Sequence, residues 1–314
     1  MHNNGGLILK PSTQLAAAGL ALFSTVFSVA GLAQLPPGIT PEMIAMSLPE
    51  EGAPKANPGW YAVTSELAFG NDGLMVFRPT DLGPFPKRDK LPIVLWGNGG
   101  CAINVGRHAG FLETIASHGF LVISTNAGAA IQAATPAAPR PRSATAADLK
   151  AGIDWAEAEN AREGSPLKGK VDTTKIAAMG TSCGGRLAIE LGGDPRVDTI
   201  GVFSSGVQGE QFELLAKLHG PVLLLNGDKR DFMLEPSKAT FDALNDVPVF
   251  YGARHDAGHS STIYHPGGGE FANVATNWLR WKLKNESRAS AMFKGKNCGL
   301  CTNANWDVAA KRLK

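Results

Sequence analysis

Residues 176–185 read Ile-Ala-Ala-Met-Gly-Thr-Ser-Cys-Gly-Gly, and this stretch decides the fold. An apolar run leads into Gly180-Thr181-Ser182-Cys183-Gly184, a G-x-S-x-G pattern, and a helical pattern begins near Gly184. Strand, sharp turn and helix in that order make a turn that lifts a serine hydroxyl to the carboxyl edge of a sheet. So tight a turn leaves almost no room for side chains two residues before and two after the serine, and both positions are Gly. The helix behind the serine directs its positive end toward it, which favours negative charge developing there. Ser182 is therefore the candidate nucleophile.

Outward from this turn, short continuous apolar runs alternate with longer amphipathic segments. The runs 93–96, 120–124, 175–179, 199–203, 222–225 and 247–251 predict buried parallel strands. Helices are predicted over 144–160 behind a Ser143 cap, and over 184–191, 211–218, 237–244 and 271–284. Alternation over 61–64 and 74–77 predicts two antiparallel strands before the first parallel one. The sum is an α/β fold, a doubly wound and mostly parallel sheet with helices on both faces. Residues 127–147 read as an Ala/Pro-rich loop.

With 314 residues, 44% of them hydrophobic, the chain can bury one large core. Its net charge of +2 gives no long-range attraction to nucleic acid or an anionic membrane. Residues 1–33 carry one charged side chain, Lys10, ahead of an apolar run and small residues, the layout of a secretory signal peptide cleaved after Ala30 or Ala33. Residues 34–58 then read as an irregular arm, and 59–314 are expected to form the catalytic domain. The mature chain is expected to be secreted or periplasmic, without stable membrane insertion. In an oxidising compartment the close pair Cys298 and Cys301 reads as a local disulfide. Cys101 and Cys183 leave two readings open, a second bridge or two buried thiols.

A serine hydroxyl needs a base to take its proton and an acid to hold that base in one tautomer. Where the nucleophile sits on a strand–turn–helix of this kind, acid and histidine follow it in the chain. His219 falls at a helix end without an acid-bearing loop before it, which leaves His255, His259 and His265. Asp228 and Asp231 both stand just past the buried run 221–226, at the edge that carries Ser182. The developing oxyanion needs two backbone N–H groups. Cys183 supplies one, and the loop Gly97-Asn98-Gly99-Gly100, directly after the first parallel strand, supplies the second through Gly99. No dinucleotide or P-loop fingerprint competes for that loop. No metal or organic cofactor is expected.

With these residues in place the chain resembles the α/β-hydrolase superfamily. Within it, the chain is similar to secreted bacterial cutinase-like polyester hydrolases and to related secreted fungal esterase-like proteins. The similarity runs from Tyr61 onward through Tyr-Ala-Val-Thr-Ser-Glu at 61–66, Ser-His-Gly-Phe-Leu-Val-Ile at 117–123, the stretch 176–185 and a closing helix with Trp278 and Trp281. It implies a secreted serine hydrolase that cleaves small-molecule or polymeric carboxylic esters through an acyl-enzyme. A peptidase or acyltransferase on the same triad, and a noncatalytic binding protein on the same fold, are the competing readings. The resemblance favours Asp231 over Asp228, from its distance beyond Gly227. Two family patterns differ on the base. Gly252-Ala253-Arg254-His255 matches the cutinase pattern, whereas Gly258-His259-Ser260-Ser261-Thr262 with Pro266 and its glycines matches the fungal one. The longer match favours His259. After the run 199–203, Ser204-Ser205-Gly206 stands where the polyester hydrolases carry an aromatic that clamps the acyl group.

Overall fold

Successive side chains of a strand point to opposite faces. In Leu91–Gly97 (β3), Ile93 and Leu95 accordingly enter one buried cluster, and Val94 and Trp96 enter another. A strand that is apolar on both faces must be covered on both, and this one lies inside the sheet. The computed structural model describes residues 56–126 and 142–313, all within the contact unit Ile39–Lys314. The expected signal peptide, nearly all of the 34–58 arm and most of the 127–147 loop lie outside the described residues.

The strands are Val63–Ala68 (β1), Asn71–Pro79 (β2), β3, Leu121–Thr125 (β4), Val171–Thr181 (β5), Thr199–Phe203 (β6), Val222–Asn226 (β7), Val249–Arg254 (β8) and Trp306–Lys311 (β9). They form one nine-stranded sheet in the order β1-β2-β4-β3-β5-β6-β7-β8-β9. The pairs from β4 through β8 are parallel, and β1, β2 and β9 join antiparallel at the two ends. The helices that matter here are Ala109–Ser117 (α1), Ala146–Ala161 (α2), Cys183–Leu191 (α3), Leu234–Ala243 (α4) and Gly269–Lys284 (α5). Core residues of α2 and α3 share one cluster, and those of α1 and α5 the other. In α5 the buried Trp278 donates its Nε1–H to Thr199 Oγ1 at 2.9 Å, which ties the closing helix to the start of β6. Among the described residues no helix is long and apolar enough to cross a membrane.

The α/β pattern read from the sequence is the one observed, with local corrections. The cap of α2 is Thr145, not Ser143. A capping box needs a side-chain oxygen three residues after the cap to accept the cap's amide, and Asp148 holds that place relative to Thr145, exchanging bonds with its side chain and amide. The segment expected as a helix over 211–218 is a 3-10 helix, Gly209–Lys217, with Leu215 as its one buried residue, so little packing rewards the α form. Helix α1 and strand β9 were not anticipated. At the sheet edge β9 buries little beyond Trp306 and has no clean alternation to betray it.

Ser182 sits between β5 and α3 at φ 53°, ψ −125°, a conformation that L-residues hold only when surrounding contacts enforce it. Those contacts are largely backbone. A Cβ on Gly184 would lie 2.0 Å from the Gly97 carbonyl oxygen, and one on Gly180 would lie 2.3 Å from the Gly184 oxygen. Gly184→Ala should consequently destabilise the protein at or above the upper end of the roughly 1–3 kcal/mol typical of overpacking, read as a lowered urea midpoint. A midpoint equal to that of the parent would show that the backbones can part at no cost.

Candidate active site

Parallel strands deliver their carboxyl ends to one edge, and the sequence-predicted residues gather there. Ser182 follows β5, Asp228 and Asp231 follow β7, and His255 and His259 follow β8. The loops after β7 and β8 touch backbone to backbone, since a Cβ on Gly227 would stand 2.2 Å from the Ala257 carbonyl oxygen. Asp228 N–H donates to that same carbonyl at 2.9 Å, and the Asp256 N–H donates to the Asp228 carboxylate at 2.9 Å.

The two acids divide the work of this junction. Asp228 is gripped by Arg230, whose Nε lies 3.0 Å from its Oδ1. Burial pushes its carboxyl up, but the bonds from Arg230 and from the Arg230 and Asp256 amides outweigh that and hold it below the usual carboxylate range. Asp231 accepts from His259 Nδ1 at 2.9 Å, with the acid side chain 0% and the histidine 13% exposed. Its oxygens also accept the amides of Gly227 (3.1 Å) and Met233 (3.0 Å). A buried carboxylate needs such donors to stay ionised.

Because a carboxylate only accepts, the proton between the two groups sits on His259 Nδ1. In the neutral ring this leaves the Nε2 lone pair open to take a proton. The Phe232 ring stacks on the imidazole at 3.9 Å between centroids and 28° between planes, which fixes the ring's face while Asp231 fixes its edge. His255 is arranged differently. Its Nε2 pairs with Asp307 of β9 at 3.1 Å, and its side chain is 40% exposed. His265 stands between two short 3-10 turns, its backbone bonded to Thr262 and Gly268.

Cys183 opens α3, so its N–H is among the four amides that a helix start leaves without an intrahelical acceptor. Its sulfur is bonded to Cys101, with Cα atoms 5.1 Å apart, so the bridge is the reading that holds. The loop after β3 is thereby tied covalently to the residue that follows Ser182. Cys298 and Cys301 are bridged as well.

In the same loop Gly99 N–H is directed at His108 Nε2, 3.4 Å away. His108 Nδ1 lies 2.8 Å from the Val105 carbonyl, which can only accept, so Nδ1 carries the proton and Nε2 accepts. Tyr264 completes the cluster, its hydroxyl 3.5 Å from His108 Nε2 and its ring under the Arg107 guanidinium. His108, Tyr264 and Phe232 were not singled out from the sequence. Phe232 stands beside Asp231 and adjacency could have flagged it, but nothing in spacing links His108 or Tyr264 to the crevice. Among the described residues seven non-glycine residues have positive φ, and Cys101, Ser182, Ser204 and Ser260 are four of them, so backbone strain concentrates at this edge.

A family model described as "PETase: PET hydrolase-like" matches residues 100–303, well over half of the chain, including Ser182, Asp228, Asp231, His255 and His259. No curated protein matches the chain at a significant level.

His108 makes a prediction about stability. Burial pushes its imidazole down to about 4, against the Val105 bond, which raises it, and with the nearby Arg107 charge adding to the depression. Above the ordinary value of 6.5 both folded and unfolded forms are neutral, and the stabilisation is complete. As the pH falls from 6.5 toward 4 the unfolded chain takes up a proton that the folded one refuses, so stability is lost across that window. The loss from this group amounts to about 3 kcal/mol. Urea titrations at pH 7 and pH 4 should show the parent losing about that much more than His108→Gln. Equal losses would mean that His108 titrates normally in the folded state.

Proposed function

The chain belongs to the PET hydrolase-like family of ester hydrolases, and on that premise we propose that it cleaves carboxylic esters through a covalent acyl intermediate on Ser182. The observation that carries the proposal is the Asp231–His259 pair, a buried carboxylate holding an imidazole in the tautomer whose free nitrogen can act as base. Ser182 Oγ attacks the ester carbonyl as His259 Nε2 removes its proton. The resulting tetrahedral oxyanion is held by the Cys183 N–H together with the loop after β3. The Gly99 amide, at a long 3.4 Å from His108 Nε2, is bound weakly enough for that oxygen to compete for it. His259 then returns the proton to the leaving alcohol, and the acyl group remains on Ser182. Water, deprotonated by the same imidazole, attacks the acyl-enzyme, and as the acyl–Oγ bond breaks the imidazolium returns that proton to Ser182 Oγ and the acid is released. Asp231 stays ionised throughout and stabilises the imidazolium.

Asp228 and His255 take supporting parts in this scheme. Asp228 staples the loops that carry Asp231 and His259, and His255 braces β8 against β9. The apolar leader delivers the chain to an oxidising compartment outside the cytoplasm, which suits its two disulfides.

An active-site fluorophosphonate should label the protein at Ser182, located by peptide mass mapping. Ser182→Ala should abolish both labelling and turnover of a soluble ester, and of polyester film if that is a substrate. Asp231→Asn should lower kcat by ~10⁴-fold, the cost of losing the correct tautomer. His259→Ala should remove the acylation burst, while His255→Ala should leave it. Label on another serine, or a dead His255→Ala beside an active His259→Ala, would falsify the assignment.

A further inference from the structure

Strand β6 runs between β5, which ends at the proposed nucleophile, and β7, which leads to the proposed acid. The two residues after it, Ser204 and Ser205, are 0% and 1% exposed, so neither hydroxyl meets solvent. Each is spent on the backbone of a different neighbour. Ser205 Oγ donates to the Ser182 carbonyl at 2.6 Å. Ser204 Oγ accepts the N–H of Ser260, the residue after His259, at 2.9 Å. Backbone bonds anchor the pair from beneath, with Ser204 N–H on the Leu225 carbonyl of β7 at 2.7 Å and Ser182 N–H on the Phe203 carbonyl at 2.9 Å. Ser182, Ser204 and Ser260 all have positive φ (53°, 43° and 64°), so the hydroxyl contacts fall where the chain would otherwise relax. On the far side, Gly185 leaves the space for Ser205, whose Cβ stands 2.5 Å from where a Gly185 Cβ would be.

We propose that Ser204 and Ser205 are positioning residues for ester cleavage, one hydroxyl fixing the turn that carries Ser182 and the other fixing the loop that carries His259, so that nucleophile and base are held in register. The inference rests on the proposed roles of Ser182 and His259. Neither serine touches substrate. Each acts through a backbone group adjoining a reacting residue, and a displacement of about 1 Å between reacting groups can cost ~100-fold in rate. A merely structural role would give something else, a lowered melting temperature for each hydroxyl lost, with the chemistry of the folded enzyme intact.

The test uses the full chain and four variants, Ser204→Ala, Ser204→Gly, Ser205→Ala and the double Ser204→Ala/Ser205→Ala, assayed well below their melting temperatures. The single variants should label with fluorophosphonate ~10–100-fold more slowly than the parent and lose kcat in the same proportion, with KM within about twofold. The double variant should be only slightly slower than the worse single one, because either loss already frees the register. Ser204→Gly separates geometry from stability. Glycine suits the positive φ and restores backbone stability but lacks the hydroxyl, so it should be as slow as Ser204→Ala. Should Ser205→Ala fail to fold, the Ser204 pair decides alone. Folded variants that label at the parent's rate, or a Ser204→Gly enzyme restored to full rate, would overturn the positioning role. A parent enzyme that is not labelled at Ser182 would instead overturn the underlying triad, and the two failures are told apart by that control.

Discussion

The contact on which the rest of this structure depends is backbone against backbone. The Gly97 carbonyl at the end of β3 stands where a side chain on Gly184 would be, and this lets the start of α3 press against the neighbouring strand. From that approach follow the sharp turn at Ser182, the placement of the Cys183 amide at a helix start and the nearness of the loop after β3. The Cys101–Cys183 bridge fastens what packing has already brought together. The positive φ of Ser182 is of the kind that costs on the order of 1–3 kcal/mol, and it persists because strand pairing, helix and bridge all hold the turn from outside.

A second constraint acts where two loops meet. Two carboxylates three residues apart cannot share a role when one is wholly buried and the other reaches Arg230. Asp231 lies under the surface with the Gly227 and Met233 amides and His259 Nδ1 as its donors, so it holds a charge in a place where unpaired charge is expensive. Asp228 faces outward and binds backbone and guanidinium, which keeps the two loops at a fixed separation. Orientation of the imidazole thus depends on both acids, one directly and one through the chain.

The short segment after β6 turns its polar side chains inward rather than toward the crevice. At the place where the resemblance to polyester hydrolases implies an aromatic, this chain has Ser204-Ser205-Gly206. The serines do not substitute for that ring at the crevice surface, because both are buried and turned to the backbone at Ser182 and Ser260. The aromatic ring nearest the imidazole is instead the half-buried Phe232, stacked on His259.

Most of the fold was legible in the sequence because the signals were local. Apolar runs bounded by turn residues announced the inner strands, and Gly-x-Ser-x-Gly between a strand and a helix announced the turn at Ser182. The edge strand β9 was invisible because an edge buries too little to impose alternation. The candidate site was legible only up to its alternatives. Sequence by itself determined that a histidine and an acid after Ser182 must converge on one edge, and it reduced the choice to Asp228 or Asp231 and chiefly to His255 or His259. Which acid meets which imidazole, that Cys101 and Cys183 are bonded, that His108 sits under Gly99, and that two consecutive serines brace both loops were decided by tertiary structure alone. Each of these joins residues far apart in the chain, and their distances are set by how β3 and β5 to β8 pack side by side, which no local pattern encodes.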